Sequence, residues 1–183
     1  MISKNNKYLY DFDISLSSKN NFSIIGIDEA GRGPLAGPVV AAAVQLDLSV
    51  PIEGINDSKK ISQKQRERLY SIIIEESISW SVGLAEPEEI DRINILQASL
   101  LAMKRALNTF DLTSSKTFIL VDGNRIINTI PNHMQQAVIK GDSKSASIAA
   151  ASIIAKVTRD RIMEKYDEKY PLYQFARHKG YPT

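Results

Sequence analysis

The strongest constraint on the fold is a pair of short apolar runs that each end in carboxylates. Residues 23–27 lead directly into Asp28 and Glu29, and residues 117–121 lead into Asp122. Apolar runs of this length, bounded by glycine and polar residues, are typical of buried strands. Because the carboxyl ends of neighbouring parallel strands meet at one edge of a sheet, we expect Asp28 and Asp122 to emerge side by side.

The remaining pattern alternates strands with helices. Three further apolar runs read as strands: residues 39–46, 80–85 and 137–139. One helix is predicted to begin at Ser62, a second at Pro87, and a third covers residues 146–166. The second helix is expected to bury six residues spaced by three and four: Ile90, Ile93, Leu96, Leu100, Met103 and Leu107. This order predicts one α/β domain with a mixed five-stranded sheet flanked by helices.

Composition limits the kinds of protein this chain can be. With 183 residues it can form one domain with a substantial core. It contains no cysteine, which excludes a disulfide scaffold and a cysteine-ligated zinc site, and fits a cytoplasmic location. No run of about 18 apolar residues exists, so we expect no membrane partner. Residues 1–21 lack the apolar core of a secretory signal and are interpreted as a polar, loosely ordered N-terminal lead-in.

Charge is distributed unevenly, although the net charge is only +2. Residues 140–183 contain nine Lys and Arg against five Asp and Glu. A basic segment beside acidic motifs suits a polyanionic partner that also needs cations. A solvated helix face is the alternative, and charge alone favours that simpler interpretation.

Four carboxylates form the candidate site, since Asp142 follows the apolar run at 137–139 and joins Asp28, Glu29 and Asp122. Carboxylates gathered at strand ends repel one another unless a cation compensates. An all-oxygen set of ligands favours Mg²⁺ or Mn²⁺ over zinc, and two such ions can clamp an in-line phosphoryl displacement.

Simpler roles for these acids stay open at this point. Asp28 can cap a turn while Glu29 points to water, and Asp122 with its glycine can form a hairpin turn. Asp142 can cap the helix that follows it. Asp160 stands between two arginines and is interpreted as a local ion-pair partner.

A glycine-rich loop follows the first strand. Residues 31–36 match G-x-G-x-x-[GA], the dinucleotide-binding pattern, but prolines at 34 and 38 and a strand-like run replace the helix which that pattern requires. We therefore interpret Gly31 and Gly33 as positions where backbone approaches a sugar edge, and Arg32 as facing a phosphate. Backbone groups at such a short distance can hydrogen-bond a ribose 2′-hydroxyl, the group that distinguishes RNA from DNA.

Six segments resemble the signatures of type 2 ribonucleases H (ribonuclease HII), in the family's order. They are residues 27–40 (IDEAGRGPLAGPVV), 54–60 (GINDSKK), 119–124 (ILVDGN), 138–142 (VIKGD), 150–160 (AASIIAKVTRD) and 178–181 (HKGY). The resemblance implies that residues 22–183 form an RNase H-like catalytic domain. It implies an endoribonuclease that hydrolyses RNA in RNA–DNA hybrids and nicks 5′ of single ribonucleotides embedded in duplex DNA, as in ribonucleotide excision repair. The implied chemistry is divalent-metal-assisted attack of water that leaves 3′-hydroxyl and 5′-phosphate ends, and we expect a monomer.

The resemblance also implies roles for individual residues. Four match the family's active-site acids, of which the first three are its usual metal ligands: Asp28, Glu29, Asp122 and Asp142. Six match positions that bind substrate: Gly31, Arg32, Gly33, Ser58, Lys59 and Tyr181. The loop would read the ribose 2′-hydroxyl, Tyr181 would stack on the following sugar, and Ser58 and Lys59 would contact phosphate. A plain polar turn is the alternative for Ser58 and Lys59, and an ordinary aromatic for Tyr181.

One departure from the family pattern concerns the C-terminus. Family members usually continue past this tyrosine with a further helix and a His-Arg segment that helps to hold the duplex, whereas this sequence ends at Thr183. The family's C-terminal helix is therefore expected to be missing, which puts duplex affinity in doubt and leaves a non-catalytic binder as an alternative. A sibling ribonuclease H type with an N-terminal binding domain is disfavoured, because residues 1–21 are too short for one.

Overall fold

A computed structural model describes residues 4–113 and 116–182. Its helices and strands are, in chain order, α1 (Lys4–Asn20), β1 (Ser23–Ala30), β2 (Val39–Leu46), α2 (Gln63–Glu76), β3 (Ser77–Ala85), α3 (Pro87–Leu107), β4 (Thr117–Asp122), β5 (Gln135–Val138), α4 (Ala146–Lys169) and α5 (Phe175–His178). Short 3₁₀ helices cover Asn132–Met134, Gly141–Ser143 and Pro171–Tyr173. None of the helices in the described ranges has the length and apolar character that crossing a membrane requires.

The five strands form one mixed sheet in the order β3-β2-β1-β4-β5. The pairs β1–β2 and β2–β3 are antiparallel, whereas β1–β4 and β4–β5 are parallel. Antiparallel pairs therefore come first and parallel pairs later. The predicted hairpin link holds for β1 and β2 but is wrong for β2 and β3, which are joined through α2. The predicted mixed five-stranded sheet flanked by helices is confirmed.

Helices cover both faces of the sheet. Alternate residues of β1 and β2 pack against α3 on one face, and the other residues of β2 pack against α2 and α4. Gly26 in β1 lies directly against the backbone of Ser147 and Ile148, so that a Cβ at this position would overlap α4. The small residues at the start of α4 thus bring the helix close to the central strand, beside the candidate site.

The first strand is longer than predicted. β1 continues to Ala30, so Asp28 and Glu29 lie inside the strand, where they pair with Ala42 and Ala41 of β2. Successive side chains of a strand point to opposite faces. The two carboxylates therefore leave β1 on different sides of the sheet.

The N-terminal segment differs from the sequence prediction. Loose order for residues 1–21 is wrong for Lys4–Asn20, which forms α1, while the first three residues lie outside the described part of the chain. Leu9 is fully buried in the core. Asp13 is also buried, and its Oδ2 accepts a hydrogen bond of 2.8 Å from the backbone N–H of Ser147. This contact ties α1 to the first turn of α4.

The helix α3 is broken near its middle. Asn94 has φ 68° and ψ 164°, outside the helical region, and its Oδ1 accepts hydrogen bonds from the N–H groups of Leu96 and Gln97 at 3.0 and 3.1 Å. The helix therefore restarts after Asn94 with a capped N-terminus. Of the six residues predicted to be buried, Met103 and Leu107 are buried and Ile90, Leu96 and Leu100 are half-buried. The predicted burial of Ile93, directly before the break, is wrong, since that side chain is 36% exposed.

Candidate active site

The parallel pairing of β1 and β4 brings two carboxylates together. Ile27 lies opposite Val121 in the register, so the next residues, Asp28 and Asp122, are neighbours. Glu29 follows on the same strand, and all three acids line one cleft of about 550 Å³. The predicted adjacency of Asp28 and Asp122 is therefore what the sheet produces.

Nine of the ten site residues predicted from the sequence line the same cleft. Besides the three acids, its walls include Gly31, Arg32, Gly33, Ser58, Lys59 and Tyr181. Asp142 is the exception: it does not line this cleft, although it interacts with acids that do. Residues from four separate parts of the chain thus converge on one surface.

Asp28 is the most buried of the three acids that line the cleft, with 6% exposure. Burial, and then the neighbouring carboxylates of Glu29 and Asp122, raise the pKa of Asp28 well above its usual range. The backbone N–H of Glu29 donates to Asp28 Oδ1 at 2.7 Å, which only partly offsets this effect. Such a group is stable as an anion only if positive charge approaches it.

Glu29 has a cationic partner within the loop. Arg32 Nη1 lies 3.1 Å from Glu29 Oε1, and the Arg32 side chain is half exposed. Burial nevertheless raises the pKa of Glu29 despite this hydrogen bond. The second oxygen, Oε2, is buried and has no hydrogen-bond partner among the described residues. Arg32, which the sequence interpretation placed against a phosphate, therefore pairs with an acid in this structure.

A second acidic group lies next to the cleft, around the 3₁₀ helix Gly141–Ser143. Burial, and then Asp57 and Asp122, raise the pKa of Asp142. Lys59 Nζ lies 4.0 Å from Asp142 Oδ2. Partial burial would lower the pKa of Lys59, but the surrounding carboxylates, Asp28 first, outweigh it and raise that pKa. Lys59 therefore lies between the two groups of acids and neutralises part of their charge.

The carboxylates provide oxygen donors for a hard divalent cation, but they are not yet arranged around one. Among the described residues, no three Asp, Glu, His or Cys side chains are already placed to hold one metal ion. Glu29 is paired with Arg32, and Asp122 Oδ1 accepts the N–H of Gly141 at 2.6 Å. The unpartnered Glu29 Oε2 and the raised pKa of Asp28 both fit an approaching cation. Carboxylate oxygens are the ligands that Mg²⁺ and Mn²⁺ take in proteins, so the chemistry of these residues fits such an ion.

The glycine loop is fixed against the C-terminal segment. Gly31 has φ 111°, and a Cβ there would lie 2.6 Å from Arg159 Nε. A Cβ at Gly33 would lie 3.3 Å from the ring of Tyr181, so the loop and this ring are in close contact. Gly180 O accepts the N–H of Leu35 at 2.9 Å, which joins the two segments directly. Tyr181 itself is 48% exposed, so part of its ring is free to contact a ligand.

Hydrogen bonds from the buried Arg159 hold the glycine loop and the C-terminal segment together. Its guanidinium donates to the carbonyl oxygens of Pro38, Lys179 and Ala36 at 3.0, 2.9 and 2.8 Å, and the side chain is 1% exposed. It therefore connects α4 to both the glycine loop and the segment before Tyr181.

Sequence reasoning about individual sites missed several residues of the cleft. Lys156 and Ser152 line it from α4, and Asp57 adds a buried acid beside Asp142. Lys156 Nζ binds Asp160 at 2.7 Å, so Asp160 is an ion-pair partner as expected, but with a lysine rather than the flanking arginines. Only the segments that resemble known signatures, 54–60 and 150–160, could have indicated these positions.

Comparison with known proteins identifies close relatives. The family model described as Ribonuclease HII matches residues 25–183. Ribonuclease HII of Acinetobacter baylyi is 54% identical over 160 residues, which cover 87% of this chain and 83% of that protein. Ribonuclease HII of a Shewanella species is 52% identical over 182 residues, covering 97% of this chain and 84% of the relative.

Solved structures show the same fold. Ribonuclease H2 from Pyrococcus horikoshii aligns with a TM-score of 0.71 at 34% identity, covering 87% of this chain and 81% of that one. The RNase HII of the PCNA:RNase HII complex from Archaeoglobus fulgidus aligns with a TM-score of 0.68 at 30% identity, covering 88% and 83%. Bst-RNase HIII, solved in complex with Mn²⁺, shares the fold alone at 22% identity and a TM-score of 0.62, covering 81% and 55%. The predicted RNase H-like fold is confirmed.

Proposed function

The chain belongs to the ribonuclease HII family and is a ribonuclease H, and we propose that it cuts RNA–DNA hybrids and nicks duplex DNA on the 5′ side of single embedded ribonucleotides. One observation carries this proposal: the glycine loop at 31–33, the ring of Tyr181 and three acids line the same cleft. A surface that can contact a sugar edge therefore lies beside one that can hold the cations for hydrolysis.

The proposed metal ligands are Asp28, Glu29 and Asp122, and the proposed ions are Mg²⁺ or Mn²⁺. When bound, these ions supply an activated water and neutralise the charge that develops on the leaving 3′ oxygen. The carboxylates fix where that positive charge lies relative to the scissile phosphate. Asp142 belongs to the adjacent acidic group, and its carboxylate lies 4.0 Å from Nζ of Lys59, which lines the cleft. The expected products carry 3′-hydroxyl and 5′-phosphate ends.

Substrate recognition is assigned to the walls of the cleft. Gly31 and Gly33 line the cleft, and their lack of a Cβ lets the loop pack closely against Arg159 and Tyr181, so that its backbone groups can contact a ribose there. The exposed part of the Tyr181 ring can stack on the sugar that follows the ribonucleotide. Arg32, Ser58 and Lys59 line the same surface and can contact the phosphates of the strand.

The direct test compares three substrates of the same sequence: a duplex with one ribonucleotide, an RNA–DNA hybrid and an all-DNA duplex. We expect Mg²⁺- or Mn²⁺-dependent cleavage of the first two, with a single nick 5′ of the lone ribonucleotide, and no cleavage of all-DNA or in the presence of a chelator. Cleavage of the all-DNA duplex, or on the 3′ side, would contradict the proposal. Binding of the ribonucleotide duplex without turnover would favour a non-catalytic binder.

Arg32 supplies a separate prediction about substrate engagement. Arg32→Ala removes a half-exposed cation from the cleft, so KM should rise about tenfold, as loss of one charge-assisted phosphate contact would give. Steady-state kinetics on the single-ribonucleotide duplex measure this effect. Arg68→Ala, at an exposed position on α2, is the control and should behave as the wild type. If kcat and KM of Arg32→Ala were both unchanged, Arg32 would have no place in the site.

The expected monomeric state and cytoplasmic location stay predictions. Light scattering of the purified chain tests the first, and fractionation of the source cells tests the second.

A further inference from the structure

A groove leads away from the cleft between α3 and the segment that follows β4. It consists of two adjoining hollows of about 390 and 260 Å³, which share Gln97 and Leu100 of α3 and Asn128 of the opposite wall. We call it the α3 groove. A small third hollow lies between the groove and the cleft, because its walls include Leu100 and Arg125 as well as Glu29 and Asp122. The groove therefore adjoins the candidate active site.

The chemistry of the α3 groove differs from that of the cleft. Leucine and isoleucine side chains such as Ile93 and Leu100 form much of its surface. Its polar side chains are amides, a hydroxyl and two exposed cations, Lys104 and Arg125, and the residues that line its two hollows include no carboxylate. Cations and amides beside apolar surface suit a nucleic-acid strand, whose phosphates take the cations while its sugars and bases cover the apolar part.

Both walls of the α3 groove are fixed by side chains of the protein itself. On the α3 side, Asn94 breaks the helix and caps its restart at Leu96 and Gln97. On the other side, the buried amide of Gln135 accepts the N–H of Ile127 at 2.8 Å and donates to the carbonyl oxygens of Ile127 and Ile130 at 2.9 and 2.7 Å. A preformed groove needs little ordering when a ligand enters it, which favours binding.

We propose that the α3 groove binds the nucleic-acid strand that flanks the cleaved position, so that substrate contacts extend beyond the cleft. The proposal commits to nucleic acid for two reasons: the groove adjoins the cleft, and its two hollows contain Lys104 and Arg125 but no carboxylate. It rests on the proposed function, since the flanking strand belongs to the substrate of that same site.

The test uses the intact chain and single-ribonucleotide duplexes with long or short flanks on either side of the ribonucleotide. The variants are Arg125→Ala and Lys104→Ala. Lys19→Ala is the matched control, because Lys19 is exposed in the last turn of α1, just before the opposite end of β1. On long duplexes, each groove variant should raise KM several-fold with kcat unchanged, and should reduce the slope of log(kcat/KM) against log salt by about 1. On duplexes whose flank is too short to reach the groove, the variants should match the wild type.

Two outcomes separate this inference from the proposed function. Suppose that both variants nick long duplexes normally, with the KM and salt slope of the wild type. This result would overturn the proposed binding role of the groove and would leave the proposed function unaffected. Failure of the wild type to nick would overturn the function. In that case the same variants are compared for equilibrium affinity to an RNA–DNA hybrid. A loss of affinity would support the groove, and unchanged affinity would overturn it.

Discussion

Among single residues, the two adjacent carboxylates of β1 have unequal surroundings. Glu29 is paired with Arg32, whereas Asp28 faces a backbone N–H and several other acids. Because folding raises the pKa of Asp28, the folded state favours its protonated form, and the ionised group lowers stability as pH rises through the folded-state pKa. The site therefore has a cost in stability when no cation is bound.

This cost can be measured with Asp28→Asn. The variant keeps the acceptor for the Glu29 N–H but removes the charge, so without divalent ions its Tm at neutral pH should exceed that of the wild type by about 3 °C, or about 1 kcal/mol. The difference should vanish below about pH 4, where the carboxyl is protonated even in the unfolded chain. Thermal unfolding in a chelator checks this. A variant less stable than the wild type at neutral pH would show that Asp28 is not under electrostatic strain.

Residue-level prediction from the sequence succeeds where a side chain follows directly from a strand. Asp28 and Asp122 are examples, because strand pairing alone makes them neighbours. It fails for Asp57, which lies on a long loop and reaches Asp142 only through tertiary packing. Lys156 could not be predicted for a similar reason, since nothing in the local sequence shows which lysines of a long helix face the cleft.

For individual elements, the long helix α4 organises the site through one buried cation. Arg159 donates to three carbonyl oxygens that belong to the glycine loop and to the segment before Tyr181. Burial lowers the pKa of Arg159, but its ordinary value is so high that the group stays charged. Without it, three carbonyl groups in a partly buried region would lose their donor.

Arg159→Met should therefore cost about 3 kcal/mol of unfolding free energy. Urea unfolding measures the loss. Arg161→Met is the matched control on the same helix. Arg161 is exposed, pairs with Glu67 and stacks on Tyr70, and its loss should cost about 0.5 kcal/mol. Equal costs for the two variants would mean that Arg159 does not fasten the loop.

An ion pair spans the break in helix α3. Arg105 in the second part binds Glu89 in the first part through two contacts of 2.7 and 2.8 Å. Hydrogen bonds from Arg105 lower the pKa of Glu89 from 4.5 to about 2. A group whose folded pKa is lowered adds stability above its unfolded pKa and loses it as pH falls through the folded pKa.

The stability that Glu89 contributes should therefore depend on pH in a defined window. Wild type should be more stable than Glu89→Gln at pH 7, and the difference should shrink as pH falls from 4.5 towards about 2. Glu88→Gln, one residue earlier and exposed, should show no such dependence. Denaturant unfolding at several pH values provides the measurement. A pH-independent difference between wild type and Glu89→Gln would contradict the role of this pair.

In the whole molecule, the sequence predicts the sheet better than it predicts the helices. The apolar runs locate all five strands, because each is short and bounded by polar or glycine residues, although β3 begins earlier than predicted, at Ser77, and β5 covers Gln135–Val138 rather than residues 137–139. Helix α1 is missed because its buried face includes Asn6 and Asp13 beside Leu9, so no apolar stripe marks it. The break in α3 is missed because φ above zero at Asn94 depends on a side-chain cap that spacing alone does not reveal.

The central claim for the molecule is that Asp28, Glu29 and Asp122 act together on a phosphodiester. Single-turnover cleavage of a duplex with one ribonucleotide, in Mg²⁺, tests it most directly. Asp28→Asn, Glu29→Gln and Asp122→Asn should each lower the rate at least about 100-fold, or about 2.7 kcal/mol in the barrier, while remaining folded. Asp111→Asn, at an exposed acid outside the cleft, should cleave at the wild-type rate. Wild-type rates for all three cleft variants would contradict the account.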